Sequence, residues 1–222
     1  MTTVVAPTPT RSATPALMTA AAILPLGPAA VAVLRLALPY YTADGNAATL
    51  AAVEAHPSRQ SAVIWLTYAA ILTLVPGLFA AARVCRDAAP RLTTWALALS
   101  VPGYLSLGMV GSYDQLLWSV ATSHVSPTAG VAVLAAAHPT IDISIGVFVL
   151  GHVIGTVLLG LALLRSRRVP AWSGWAIAVS QPLHFIATVI LGSPQVDFVG
   201  WGLTAVGMAA VAVVVLRDAE VR

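Results

Sequence analysis

Apolar residues run along this chain in six long stretches, about Ala16–Tyr40, Ala62–Arg83, Leu92–Ser112, Ile143–Leu164, Ala171–Leu191 and Val196–Leu216. Each is roughly twenty residues long, the length at which an α-helix crosses the core of a bilayer. The runs are continuous rather than alternating, which points to a helical bundle and away from a β-barrel. Two shorter patterns lie between spans. Thr49–Pro57 (TLAAVEAHP) and Val131–Pro139 (VAVLAAAHP) each predict a short apolar-faced helix that stops at His-Pro, because proline disfavours helix for the residue before it. Ser126-Pro127 supplies an N-cap and first-turn pair for the second. The expected organisation is therefore all-α: a disordered cytoplasmic tail at 1–15, a single six-helix domain at 16–216 and a short tail at 217–222. These spans and their connections use the whole chain, leaving no room for a separate soluble domain. The first span is too long for a signal-peptide core and is expected to be retained.

The spans are not independent of one another. Pro90–Pro102 (PRLTTWALALSVP) returns as Pro170–Pro182 (PAWSGWAIAVSQP), with identities at Pro90/Pro170, Trp95/Trp175, Ala96/Ala176, Ala98/Ala178, Ser100/Ser180 and Pro102/Pro182. Together with the paired His-Pro segments this predicts a parallel internal repeat of helical hairpins. Inverted repeats are a common mark of secondary transporters, and a parallel one weakens that assignment. Where the copies differ, the second is the more polar. His184 stands at the position of Tyr104, Gln181 at that of Val101, and His152 opposite Ala70 when counted from the His-Pro marks.

Composition fixes the class. Hydrophobic residues make up 59% of the chain, charged residues 9%, and mean hydropathy is +0.89; soluble domains carry about a quarter charged residues. All eleven basic side chains are arginine. Arg83, Arg86 and Arg91 lie between spans two and three, Arg165, Arg167 and Arg168 between four and five, Arg217 and Arg222 after six, and Arg11 before one. The alternate connections hold Arg59 beside Asp44, Glu54, Asp114 and Asp142. The positive-inside rule then predicts a multi-pass protein of the bacterial plasma membrane with both termini cytoplasmic. The pI near 9.5 follows from this topology, and no basic tract with interleaved aromatics points to nucleic acid. Cys85 is the only cysteine, so an internal disulfide is excluded.

Helical geometry groups the polar residues inside the spans. Ser173, Ser180, Gln181, His184 and Thr188 share one face of the fifth, with Ile177 between them. On the fourth, His152 has Thr156 one turn away and Gly151 and Gly155 beside it. From the helix rise, His152 lies about 15 Å beyond Asp142 and His184 about 14 Å before Ser193, so two antiparallel neighbours carry histidines at matching depth. Asp197, Trp201, Thr204 and Met208 form one face of the sixth span. These positions predict an outward-facing polar pocket between spans four, five and six, with candidate ligand-binding residues His152, His184, Gln181, Ser180, Thr188, Thr156, Asp142, Asp197 and Arg35. Several of these also have a plain structural account. Intramembrane histidines hydrogen-bond neighbouring helices, GxxxG permits close packing, and Gln181 and Ser180 can cap the carbonyl freed by Pro182. Arg35 either snorkels to the interface or pairs with Asp114, Asp142 or Asp197. Tyr40, Tyr41, Tyr113 and Trp118 suit an interfacial aromatic belt. His56 and His138 occupy equivalent places at the His-Pro breaks, which favours a shared structural role.

The segment Leu150–Phe185 (LGHVIGTVLLGLALLRSRRVPAWSGWAIAVSQPLHF) resembles six-helix integral membrane proteins common in high-GC, actinobacterial-type bacteria. In that group, which has no assigned activity, a glycine-studded helix ends in a basic-serine stretch followed by proline and the next helix. The resemblance implies a polytopic plasma-membrane protein in contact with the lipid bilayer and carries no catalytic residue with it. Three function classes follow from the residues. The first is a small-ligand pocket, including haem held between His152 and His184 as axial ligands. The second is a membrane-embedded enzyme acting on a lipid or isoprenoid, with His184 or His152 as general base and Asp142, Asp114 or Asp197 assisting. The third is a transporter or assembly factor using helix breaks at Pro25, Pro76, Pro102 and Pro182. A metal hydrolase built on His138, Asp142 and His152 lacks the H-E-x-x-H spacing or anything like it.

Overall fold

A computed structural model describes residues 15–41 and 44–220. The expected tail up to residue 14, with Arg11, and the terminal Arg222 lie outside the described residues. The described chain is helical, with no strand: α1 (Pro15–Ala37), α2 (Asn46–Ala55), α3 (Pro57–Cys85), α4 (Pro90–Thr122), α5 (Pro127–Ala135), α6 (Thr140–Ser166), α7 (Ala171–Phe185) continued by a π-helical segment (Ile186–Leu191), and α8 (Pro194–Glu220). Six of these, counting α7 with its continuation as one, are long and apolar enough to cross a membrane. Their outer faces carry exposed Trp65, Leu72, Trp95, Leu105, Leu150 and Ile190, a surface suited to lipid rather than water.

Proline sets most of the boundaries. It occupies the first turn of α3, α4 and α5, where its missing N–H costs nothing. Ser126 caps α5 by accepting from the Ala129 N–H at 3.3 Å. Pro39 follows the end of α1, so the first helix stops at Ala37 and not at Tyr40. At the other boundaries the apolar runs understate the helices. α3 begins at Pro57 rather than Ala62, and α4 continues ten residues past Ser112 to Thr122. Helical hydrogen bonding persists there through polar residues because Gln60 and Asp114 turn inward and hydrogen-bond, as described below.

The six long helices close into a ring in chain order, α1–α3–α4–α6–α7–α8, with α8 packed back on α1. The main core draws on all six, from Leu24 and Leu78 to Leu159, Ile177 and Trp201. A second, smaller core of Leu50, Val53, Leu117, Val120 and Leu134 joins α2 and α5 to the end of α4. The short helices thus cover one end of the ring, opposite the α3–α4 and α6–α7 connections where the arginines cluster.

α4 and α6 cross in close contact. A Cβ built on Gly151 would stand 2.6 Å from the Leu99 carbonyl oxygen, and one on Gly155 would overlap the Ser100 hydroxyl. Only glycine permits this approach, and it brings His152 against α4. Pro182 removes one backbone donor from α7. Downstream of it lies the π-helical segment, which ends at Gly192 with φ +58°. There the Ala187 carbonyl accepts from the Ser193 N–H at 3.0 Å and from the Tyr41 hydroxyl at 3.3 Å.

Candidate functional site: a charged cluster on the wall of a cavity

His152 and His184 meet, with ring centroids 5.2 Å apart. Trp201 of α8 packs against both, at 5.5 Å from His152 and 5.6 Å from His184. Asp197, one turn before Trp201 on α8, is fully buried and fully engaged. His184 Nδ1 lies 2.5 Å from Asp197 Oδ1, and because a carboxylate paired with arginine only accepts, Nδ1–H is the donor. Asp197 Oδ2 takes Arg35 Nε of α1 and the Thr188 hydroxyl, the latter at 3.3 Å. Of the two placements open to Arg35, the structure adopts the ion pair. Its guanidinium also lies 5.6 Å from the centre of the Tyr41 ring, and its Nη2 is buried with no hydrogen-bond partner. Three helices therefore converge on one carboxylate, leaving His184 Nε2 and Arg35 Nη2 as groups with unused hydrogen-bonding capacity.

His152 is placed differently. Its Nδ1–H donates to the Phe148 carbonyl one turn back, at 2.5 Å, and its ring stacks on Phe148 at 4.2 Å. Nε2 is buried and unpartnered. This arrangement does not fit an iron held between the two histidines. A porphyrin would have to pass between rings only 5.2 Å apart while Trp201 closes against both. Nor is any group of three or more His, Cys, Asp or Glu among the described residues arranged to hold a metal ion.

Several sequence candidates serve helix pairing instead. Gln181 Nε2 donates to Thr204 Oγ1 at 2.9 Å, the Thr204 hydroxyl donates to Ser180 Oγ at 2.7 Å, and Ser180 donates to the Ile177 carbonyl at 2.7 Å. This chain ties α7 to α8 in the buried interior. Ser180 and Gln181 thus do not cap the carbonyl freed by Pro182. Thr156 pairs with the Tyr104 hydroxyl at 2.9 Å and ties α6 to α4.

Inside the ring, beneath α2 and α5, lies a cavity of about 530 Å³. Arg35, His184, Thr188 and Asp142 line it; His152, Asp197, Gln181, Ser180 and Thr156 stand behind its wall. It is broader than a seam between α6, α7 and α8. α1 contributes Val31 and Leu34, α4 contributes Leu107, Val110 and Asp114, and the short helices contribute Asn46, Thr49 and Leu134. Exposed Asp44 and Asp142 mark its outer rim.

The tyrosines expected in a lipid-facing belt belong to this cavity. Tyr40, Tyr41 and Tyr113 all line it, while Trp118 is 37% exposed on the outside. Tyr40 donates to Asp114 Oδ1 at 2.5 Å, and Gln60 Nε2 donates to the same oxygen at 2.9 Å. Burial first, and then the charge of Asp114, hold the Tyr40 phenol well above its ordinary value of 10.0. Tyr113 donates to Asn46 Oδ1 at 3.2 Å, fixing α2 to α4. His138, itself exposed, also lines the cavity, with Nδ1 3.1 Å from the Thr140 hydroxyl; His56 is exposed at the α2–α3 junction. Tyr40 and Gln60 are the site residues that periodicity missed, and Asp114 entered the sequence reading only as an assisting carboxylate or a partner for Arg35. The available signal was three polar groups at the edges of apolar runs, which only the ring brings together. Comparison with known protein families, curated proteins and solved structures finds no match to this chain.

Proposed function

We propose that this is a multi-pass protein of the bacterial plasma membrane that binds a small amphiphilic molecule in the cavity beneath α2 and α5. The arginine-rich connections and both termini are then cytoplasmic, so that the cavity opens outward. The observation that carries the binding assignment is the buried Arg35–Asp197–His184 cluster on the cavity wall. Its fixed geometry leaves Arg35 Nη2 without a partner beside largely apolar lining. Sites of this kind, a few hundred Å³ of apolar wall with a few placed polar groups, are the usual form of small-ligand pockets. An acceptor group on the ligand, phosphate or carboxylate oxygen, pairs with the Arg35 guanidinium, whose side chain is 12% exposed, while the alkyl part lies along Leu34, Leu107 and Val110.

The parallel repeat is part of the same proposal. Trp95 and Trp175 are both more than half exposed, Ser100 and Ser180 both fully buried, and the replacement pair Tyr104 and His184 both buried. Two copies of one hairpin plan, with the second made polar at His184 and Gln181, account for these matches. So does kinship with the six-helix proteins of high-GC bacteria.

The binding test is native mass spectrometry of protein extracted in non-ionic detergent, compared with Val110→Phe, which fills the cavity without touching a charge. A bound adduct in the wild type that is lost from the variant is expected. No adduct, together with no thermal stabilisation by any added dodecyl amphiphile, sinks the assignment.

One observation favours a second reading, an enzyme acting on a lipid. Asp197 fixes the His184 tautomer with Nδ1 protonated, so Nε2 is the basic nitrogen on the side chain that lines the cavity, the arrangement a general base requires. Product formation from membrane lipids that disappears in His184→Asn, with the adduct retained, separates catalysis from binding.

A further inference from the structure

We propose that Asp114 is the recognition point for an ammonium group, so that the bound amphiphile carries a positive charge at the α4 wall of the cavity. This rests on the cavity being a ligand site.

Asp114 is 7% exposed and lines the cavity from α4. Its two hydrogen-bond donors, the Tyr40 hydroxyl and Gln60 Nε2, both fall on Oδ1. No basic side chain among the described residues lies within ion-pair distance of it, because Arg35 is turned to Asp197. A buried carboxylate without a cation is costly in a membrane protein, and such groups otherwise pair or face a functional cavity. Oδ2 of the same carboxylate takes no hydrogen bond from the described residues and is the oxygen left to a partner from the cavity.

The surroundings select the partner's chemistry. Tyr40, Tyr41 and Tyr113 line the same space, and aromatic rings attract ammonium groups through the negative face of the π-system. Among the described residues Arg35 is the one arginine in the wall and already has Asp197 as counter-ion, while the rim adds Asp44 and Asp142, neither of them in an ion pair there. The local balance is acidic on this side. An ammonium group on Asp114 and an acceptor group on the Arg35 guanidinium together describe a zwitterionic headgroup.

The experiment measures binding of three dodecyl probes to the detergent-solubilised full chain: trimethylammonium, its uncharged 3,3-dimethylbutyl isostere, and phosphate. The wild type is expected to bind the ammonium probe about tenfold or more tightly than the isostere, the low end of what a single buried charge partner contributes. Asp114→Asn is expected to abolish that preference while leaving the phosphate probe bound. Should Asp114→Asn fail to fold, the ammonium-to-isostere ratio in the wild type decides alone. Equal binding of ammonium and isostere overturns the proposal and leaves the cavity assignment standing if the phosphate probe binds. Binding of none of the three removes both. Choline, measured alongside, separates a soluble ammonium compound, which it would mimic, from a lipid headgroup, which needs the alkyl chain.

Discussion

His184 Nδ1 and Asp197 Oδ1 stand 2.5 Å apart across the α7–α8 interface, and the second oxygen of the same carboxylate holds Arg35 of α1. One buried anion thereby connects the last two long helices to the first and closes the ring electrostatically at the place where α8 packs against α1. Removing one member of such a set leaves an uncompensated charge, which costs far more than the intact pair contributes. Asp197→Asn is expected to destabilise the protein by about 3–5 kcal/mol. Thermal unfolding in detergent measures this, and adding Arg35→Met to the same chain should recover part of the loss.

Close packing at α4–α6 gives an internally controlled pair of substitutions. Gly151→Ala places a methyl group 2.6 Å from the Leu99 carbonyl, whereas Gly146 on the same helix has open space. Gly151→Ala should cost about 1–3 kcal/mol through overpacking. Gly146→Ala should be neutral or gain about 0.5–1 kcal/mol from reduced backbone entropy. Equal melting temperatures for the two would contradict the crossing geometry.

The buried chain Gln181–Thr204–Ser180 is expected to be worth little in energy. Interhelical hydrogen bonds in membranes average about 0.6 kcal/mol and reach about 1.7. Thr204→Val removes both bonds and should fall near the upper figure, because Gln181 then loses its only donor contact. A melting-temperature loss as large as that of Asp197→Asn would show that this chain, and not the ion cluster, secures α7 to α8.

Tyr40 predicts an alkaline limit to stability. Its folded-state affinity for the proton exceeds that of the unfolded chain, since burial and the Asp114 charge both oppose phenolate. A group whose folded pKa is raised contributes stability that is fully present below the unfolded value and is lost above it. Stability should therefore be flat with respect to this group up to about pH 10 and fall above it. Phenolate absorbance should show a late component that ionises only on unfolding, and Tyr40→Phe should reduce it by one phenol, the buried Tyr104 supplying part of what remains.

Orientation is open to direct test by single cysteines. Cys85 is buried and within 3.5 Å of the Thr93 hydroxyl, so it should stay silent to a membrane-impermeant thiol reagent. A cysteine at exposed Asp142 should react in intact cells, and one at exposed Arg86 only after lysis. The reverse pattern would place the cavity on the cytoplasmic side.

The spans were legible in the sequence because apolar run length and helix rise are local properties. The matched depths of His152 and His184 followed from the same arithmetic. What remained hidden depends on partners far along the chain. Gln60 and Asp114 interrupt their apolar runs and suggest helix ends, yet each helix passes through them because their side chains meet 54 positions apart. Tyr40 has the composition of a belt residue, and only its bond to Asp114 across 74 positions turns it inward. Likewise a polar face on the fifth span looked like one site. The structure divides it into a structural part, Ser180 and Gln181, and a cavity-lining part, His184 and Thr188, according to what α8 presents opposite each.

Trp201 has a practical consequence. It is the one fully buried indole, at 0% exposure, and packs on both histidines beside the cavity it lines. The other five tryptophans, at 65, 95, 118, 172 and 175, are 37–70% exposed on the molecule's outer surface. A quencher dissolved in the acyl chains of the surrounding bilayer therefore darkens those five and leaves the emission of Trp201. The native chain then carries its own optical gauge of cavity occupancy, with no label and no substitution.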